Sequence, residues 1–362
     1  MVNIIKITEI MNENPFILQQ EAINENTSPG RLEELADISE LAHLVAQNVN
    51  CSSETLIKLT ENASDNILKA IVSNPSTPTE ILIELGAKFP QELVKNPIID
   101  LWLLEDENPL YSDNELTANL AINPNTPINL LKILTQFPNS QVRIDVAKNS
   151  NTPASVLEKL ATDSDANVRL RVSYHQNTPV SVLEKLGTDS DSGVRCYVAL
   201  HQNVSVSLLE QLAEDSHLLV RHNVARNPKT PVTLLEKLAT DSNYGVRCHV
   251  AKNPNTSIIL LEQLASDADV VVRCCVAENP NTPISLLQQL ATDEKKSVRH
   301  NVAANPKTPM NLLEQLANDF DVVVRRGIAS NENIPIYLLE KLTTDSDHSI
   351  SSTARKKLQY RR

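Results

Sequence analysis

The sequence predicts an all-α fold, a solenoid of two-helix repeats about 26 residues long. Arg143, Arg169, Arg195, Arg221, Arg247, Arg273, Arg299 and Arg325 recur with a step of 26. Asp163, Asp189, Asp215, Asp241, Asp267, Asp293 and Asp319 keep the same step, as do Leu157, Leu183, Leu209, Leu235, Leu261, Leu287 and Leu313. Only 6 Gly and 3% aromatics accompany abundant Leu, Val, Ile and Ala, which opposes a sheet fold with tight hairpins and predicts a regular aliphatic core. A fixed period of this length marks a stack of small units, each burying its apolar face on its neighbours.

One unit, 227–252, shows how each element arises from its residues. Thr230 has the type of a helix N-cap, and Pro231 is placed at the first helical position, where its missing N–H costs nothing. The first helix, helix A, is predicted over about 231–240 with Leu234, Leu235, Leu238 and Ala239 on one stripe and Glu236 and Lys237 opposite. Asp241-Ser242-Asn243 reads as a turn whose short polar side chains cap the second helix. Helix B is predicted over about 244–252 with Val246, Val250 and Ala251 inward, and it ends at Asn253-Pro254, where proline cannot continue the ladder. Helices this short do not stand alone, so stacking must stabilise them.

Along the chain, residues 1–23 are expected to form an N-terminal cap. Residues 24–122 hold four degenerate repeats, with Ala42, Leu68, Pro90 and Thr117 at the arginine position. The fourth is the least regular and contains Trp102 and the acidic run Glu105-Asp106-Glu107. Residues 123–330 form eight regular repeats. Residues 331–362 form a terminal half-repeat, with Ser351 at the arginine position, and a polar cap helix around 354–358 that suits solvent.

Val246-Arg247, Val250-Ala251, Asn253-Pro254, Thr256, Leu260-Leu261, Leu264-Ala265 and Asp267 carry a pattern that resembles the leucine-rich repeat variant family, and HEAT repeats look similar. The resemblance covers 123–350 well and 24–122 weakly. It implies a right-handed solenoid of paired helices, one helix per repeat of 3₁₀ type, used for binding. Some members of that family hold an iron–sulfur centre on an N-terminal cysteine cluster. Here Cys51 alone lies in the first half, so that centre is not carried over and no cofactor is expected. His175-Gln176 and His201-Gln202 replace Asn-Pro, and Ser205 and Ser257 replace the second proline, so helix B is expected to extend or bend differently there.

A net charge of −12 opposes generic binding to nucleic acid or anionic membranes. The 5 cysteines are odd in number and read as reduced thiols. Lys6, Glu9, Asn12 and Glu13 break the apolar residues of the N-terminus, so no secretory signal is predicted, and a soluble cytoplasmic protein is expected. No phosphate loop, zinc-protease motif or nucleophile elbow is present, and no catalytic residue is assigned.

Two sets of residues stand out. The arginine and aspartate columns predict a structural ladder that ties the turns of neighbouring repeats, because partly buried guanidinium groups demand carboxylate partners. The second set is the variable outer face of helix B, against a monotonous Glu-Lys or Glu-Gln face on helix A. It comprises Arg171, Tyr174, Tyr197, Leu200, His222, Asn223, Arg226, Cys248, His249, Lys252, Cys274 and Cys275. Its Cys and His residues invite a metal reading. Equivalent residues on helices packed about 8–10 Å apart cannot share a tetrahedral ion, and the same distance opposes an inter-repeat disulfide.

The expected function is a non-enzymatic scaffold that binds a protein or peptide, with an acidic segment favoured by the wall's cations, along a concave helix-B wall. A HEAT-like nucleic-acid binder or DNA glycosylase is the alternative, opposed by the charge and by an aromatic supply limited to Tyr174 and Tyr197. A client-binding assembly factor is the third.

Overall fold

The computed structural model describes residues 14–104 and 109–361. The acidic run Glu105-Asp106-Glu107 and residues 1–13 of the expected N-terminal cap lie outside the described residues. Among the described residues there are 28 helices and no strands, and none of these helices is long and apolar enough to cross a membrane. The chain divides into two compact units, Met1–Thr178 and Pro179–Arg362, and each is a repeat α-solenoid.

In the second unit, helix A recurs as Val180–Leu186, Val206–Leu212, Val232–Leu238, Ile258–Leu264, Ile284–Leu290, Met310–Leu316 and Ile336–Leu342. Helix B recurs as Ser192–Leu200, Leu218–Arg226, Tyr244–Lys252, Val270–Glu278, Lys296–Ala304 and Val322–Ser330. The aliphatic stripe is buried throughout: Leu234, Leu235, Leu238, Val246, Val250 and Ala251 form the core of one repeat. At about 25 cal/mol per Å², this apolar burial is the main driving term for stacking.

Helix A departs from the expected boundaries. It is an α-helix of 7 residues rather than a 3₁₀ helix, with Leu235 N–H donating to Pro231 O at 3.0 Å. Pro231 is itself the N-cap, with extended backbone, and helix A begins at Val232. The i→i+3 bonds sit in the turn after it, from Thr240 N to Lys237 O and Asp241 N to Leu238 O. Thr230 does not cap helix A: its hydroxyl donates to Val224 O at 2.5 Å and satisfies a carbonyl near the end of the preceding helix B. Where serine replaces the proline, it restores a side-chain cap: Ser205 and Ser257 Oγ accept from Leu208 N and Leu260 N.

The expected change in helix B at the His-Gln positions does not occur. Helix B ends at Tyr174 and Leu200 in the usual register, with His175 and His201 as extended C-caps. The reason is a hydrogen-bond ladder in which histidine can replace asparagine. Asn253 is buried; its Nδ2 donates to Ala225 O at 2.7 Å and to Asn227 O at 3.0 Å in the preceding repeat, while its Oδ1 accepts Asn255 N–H at 2.9 Å. Ala225 O is one of the helix-end carbonyls left without an intrahelical partner. At 175 the imidazole takes over both roles. Nδ1 accepts Asn177 N–H at 3.1 Å, which leaves Nε2 as the donor to Asn149 O at 2.9 Å. In the first unit the ladder breaks at Asn123, whose buried Nδ2 has no partner among the described residues.

The C-terminal helix is longer than expected, His348–Arg361, and completes the last repeat as its helix B. It is not simply a solvent-facing cap: Lys357 Nζ donates to Ser330 O at 2.8 Å and Asn331 O at 3.1 Å, in place of the stacking asparagine.

Replacing Asn253 by Ala orphans two buried carbonyls and should cost about 1–3 kcal/mol, whereas Asn123→Ala removes a donor that has no acceptor and should cost far less. Urea unfolding of both variants measures the difference; equal losses would contradict the ladder.

Candidate functional site: the helix-B wall

The arginine column is fully engaged. Arg247 Nε and Nη2 grip Asp267 of the next repeat at 2.7 and 2.8 Å, and Nη1 donates to Asp241 O at 2.9 Å and Ser242 O at 3.3 Å in its own turn. The same carboxylate accepts Asp269 N–H at 2.8 Å and so fixes the turn it stands in. Arg143–Asp163 in the first unit, and Arg195–Asp215, Arg221–Asp241, Arg273–Asp293, Arg299–Asp319 and Arg325–Asp345 in the second, have the same geometry. Arg169 holds its own turn through Asp163 O at 2.8 Å. Burial pushes the Asp267 carboxyl up, but the Arg247 hydrogen bond, the Asp269 N–H and the nearby guanidinium charges outweigh it and hold the group below the usual carboxylate range. These arginines are committed to construction and are not offered to a ligand.

The variable residues of helix B separate into a seam and a face. The residue one past the arginine of one repeat meets the residue two past the arginine of the next, 27 positions on. Asn223 Nδ2 donates to Cys196 O at 3.1 Å, the rings of His222 and His249 lie 3.8 Å apart, and Asn301 Nδ2 donates to Cys274 O at 3.3 Å. At the pair His300 and Gly327 a Cβ on the glycine would come within 2.7 Å of His300 O, so only glycine permits that approach.

This offset corrects the expectation for the cysteines. Cys248 and Cys275, expected as outward thiols too distant to pair, are buried, with Cα atoms 5.6 Å apart, and form a disulfide. The expectation concerned equivalent residues 26 apart, whereas residues 27 apart face each other across this seam. The other three cysteines are free, and burial raises each thiol pKa, that of Cys51 to about 11. Among the described residues no group of three or more potential ligands could hold a metal ion.

The exposed face is therefore narrower than the sequence predicted. In the second unit it holds Tyr197, Leu200, Arg226 and Lys252, with His222, Asn223, His249 and Cys274 half-buried behind them. Lys252 pairs with Glu278 at 2.8 Å, while Arg226 has no carboxylate partner among the described residues. Burial, His222, Lys252 and Arg226 together lower the His249 pKa to about 4, so its imidazole is neutral at pH 7. In the first unit Arg171 and the exposed Tyr174 line a cavity of about 280 Å³ with Lys148, Ser150 and Asn177. Lys148 is held by Asp145 at 2.7 Å, and Arg171 has no carboxylate partner among the described residues. A second cavity of about 440 Å³ lies on the helix-B side of the degenerate repeats, lined by His43, Lys69, Glu92 and Lys95.

Helix A is less monotonous than its Glu-Lys pattern predicted. Val180, Val206, Val232, Ile258, Ile284, Met310 and Ile336 form one exposed apolar column, a signal present in the sequence as the residue after each cap.

The chain is similar to a leucine-rich repeat variant. That solved structure, described as having a novel repetitive structural motif, aligns at 24% identity over 61% of this chain and 87% of its own, with a TM-score of 0.46. An engineered protein aligns at 15% identity over 99% of this chain and 98% of its own, with a TM-score of 0.20. No family model matches the chain, and neither does any curated protein.

Arg247→Ala leaves Asp267 half-desolvated and unpaired and should cost about 2–4 kcal/mol, whereas Lys252→Ala breaks an exposed pair worth under about 1 kcal/mol; thermal melts of the two variants decide. For His249, the folded pKa lies below the unfolded value, so its contribution to stability is complete above pH 6.5 and declines as pH falls toward 4. His249→Asn should flatten the wild-type loss of melting temperature between pH 7 and about 4.5.

Proposed function

We propose that this chain is a non-enzymatic scaffold that holds a protein or peptide partner, through an acidic segment, along the exposed face of its helix-B wall. The observation that carries the reading is an unmatched cation on the helix-B face of each unit taken by itself: Arg171 beside Tyr174 and the 280 Å³ cavity in the first, and Arg226 beside the His222–His249 pair in the second. Elsewhere in the repeats the guanidinium groups of the period are consumed by aspartates, so these two stand out as charges without a structural duty. An arginine next to an aromatic side chain recognises a carboxylate bidentately while the ring covers the segment's apolar stem.

Charge distribution is compatible with an acidic partner on the second unit. All of the net charge of −12 falls in residues 1–178, and residues 179–362 are electrically balanced, so an acidic segment meets no net repulsion there. The same balance makes a long polyanion a poor match, because nucleic-acid affinity rests on neutralising many phosphates at once.

Replacing Arg171, Tyr197, Arg226 and His249 together should weaken capture of acidic peptides from a peptide array at least tenfold while leaving the melting curve within a few degrees of wild type. Ile258→Asp, on the apolar column of helix A, combined with Ile259→Asp at the exposed position beside it, should leave capture unchanged. Retention of peptide by the fourfold variant, or its loss in the helix-A variant, would sink the wall reading. Capture of single-stranded DNA with a steep salt dependence would replace it with a nucleic-acid reading.

A further inference from the structure

We propose that Cys248 and Cys275 form a reversible thiol–disulfide site that locks one junction of the helix-B wall, a property that does not depend on what the wall binds. The two residues sit on Tyr244–Lys252 and Val270–Glu278, helix B of successive repeats, and the bond joins those helices directly.

The junction does not need the bond to form. Arg247–Asp267, Asn279 Nδ2 to Ala251 O at 2.6 Å, and Lys252–Glu278 already tie the same two repeats. Neighbouring junctions carry the same arginine and asparagine ties and fill the facing pair with non-covalent contacts, His222 with His249 on one side and Cys274 with Asn301 on the other. A covalent link at a junction already fully held adds rigidity rather than architecture, and its removal leaves the fold in place.

The surroundings also suit controlled exchange. Cys274 stands next to Cys275 in sequence, yet its thiol is partly buried and its pKa is raised, as is that of Cys196, so neither supplies thiolate to scramble the bond from within. Exchange therefore runs with external reagents. The thiolate of a dithiol attacks the Cys248 sulfur, the less buried of the two; the S–S bond breaks, and Cys275 leaves as a thiolate and takes up a proton. The second thiol of the reductant then displaces Cys248, leaving two protein thiols and an oxidised, cyclic disulfide reductant. Closure runs the other way with a small disulfide such as oxidised glutathione, which accepts the two electrons and departs as two thiols.

The test uses the full chain equilibrated with oxidised glutathione or with dithiothreitol. After denaturation, three thiols should titrate in the oxidised sample and five in the reduced one. In a Cys274→Ala background, which separates the adjacent cysteines, peptide mapping should place the bond between Cys248 and Cys275. Amide exchange in Tyr244–Lys252 and Val270–Glu278 should accelerate about tenfold or more on reduction, while Val322–Ser330 changes little. Cys248→Ala, and independently Cys275→Ser, should behave as reduced protein in both buffers. Five thiols in the oxidised sample, a bond mapped to another pair, or exchange in these helices that ignores the redox state would each overturn the proposal.

Discussion

Each repeat of this chain buries polar groups that only the next repeat can satisfy. The carbonyl of Ala225 at the end of one helix B waits for Asn253, and the guanidinium of Arg247 in one repeat is answered by Asp267 in the next. Because an unmet buried carbonyl or charge costs more than the bond itself returns, a repeat placed without its neighbour is penalised, and stacking becomes obligatory. Apolar burial supplies the gain, but these polar ties set the register. A Leu-for-Leu stack could slide; an Arg that must meet one carboxylate and two turn carbonyls cannot. The break at Asn123 falls next to the least regular repeat, where the period changes and the donor loses its acceptor.

The same constraint shapes what the surface can do. Fixing the turns with arginine and aspartate brings successive B helices close enough that residues 27 apart touch, and this converts half of the variable wall into a seam. Cysteine, histidine, asparagine and glycine alternate there because each junction needs only a small or hydrogen-bonding pair, and many solutions fit. Variation within the seam therefore reflects local packing. Variation in the exposed column, Tyr174 in the first unit and Leu200, Arg226 and Lys252 in the second, is free of that duty.

Arginine thus occurs in this chain in two environments. The periodic arginines are held by turn carbonyls and, as at Arg247, raised in pKa by their carboxylates, while Arg171 and Arg226 have no carboxylate partner among the described residues. The neutral His249 beside Arg226 follows first from its burial in the seam and then from the charges of His222, Lys252 and Arg226 around it.

The repeat, its length, both helices and the Arg–Asp pairing were legible from residue columns, because helix periodicity and buried charge are local or strictly periodic demands. Asn-Pro was legible only as a helix stop; its second role, bridging repeats, needed the position of a carbonyl 28 residues earlier in the chain. The histidine substitutions looked like departures because imidazole and amide differ in sequence but present the same acceptor and donor in space. Sequence by itself determined the period and which side chains line the core. Tertiary structure alone decided which variable residues face each other, since that depends on an offset of 27 rather than 26 between neighbouring helices, a geometric phase that no single repeat contains.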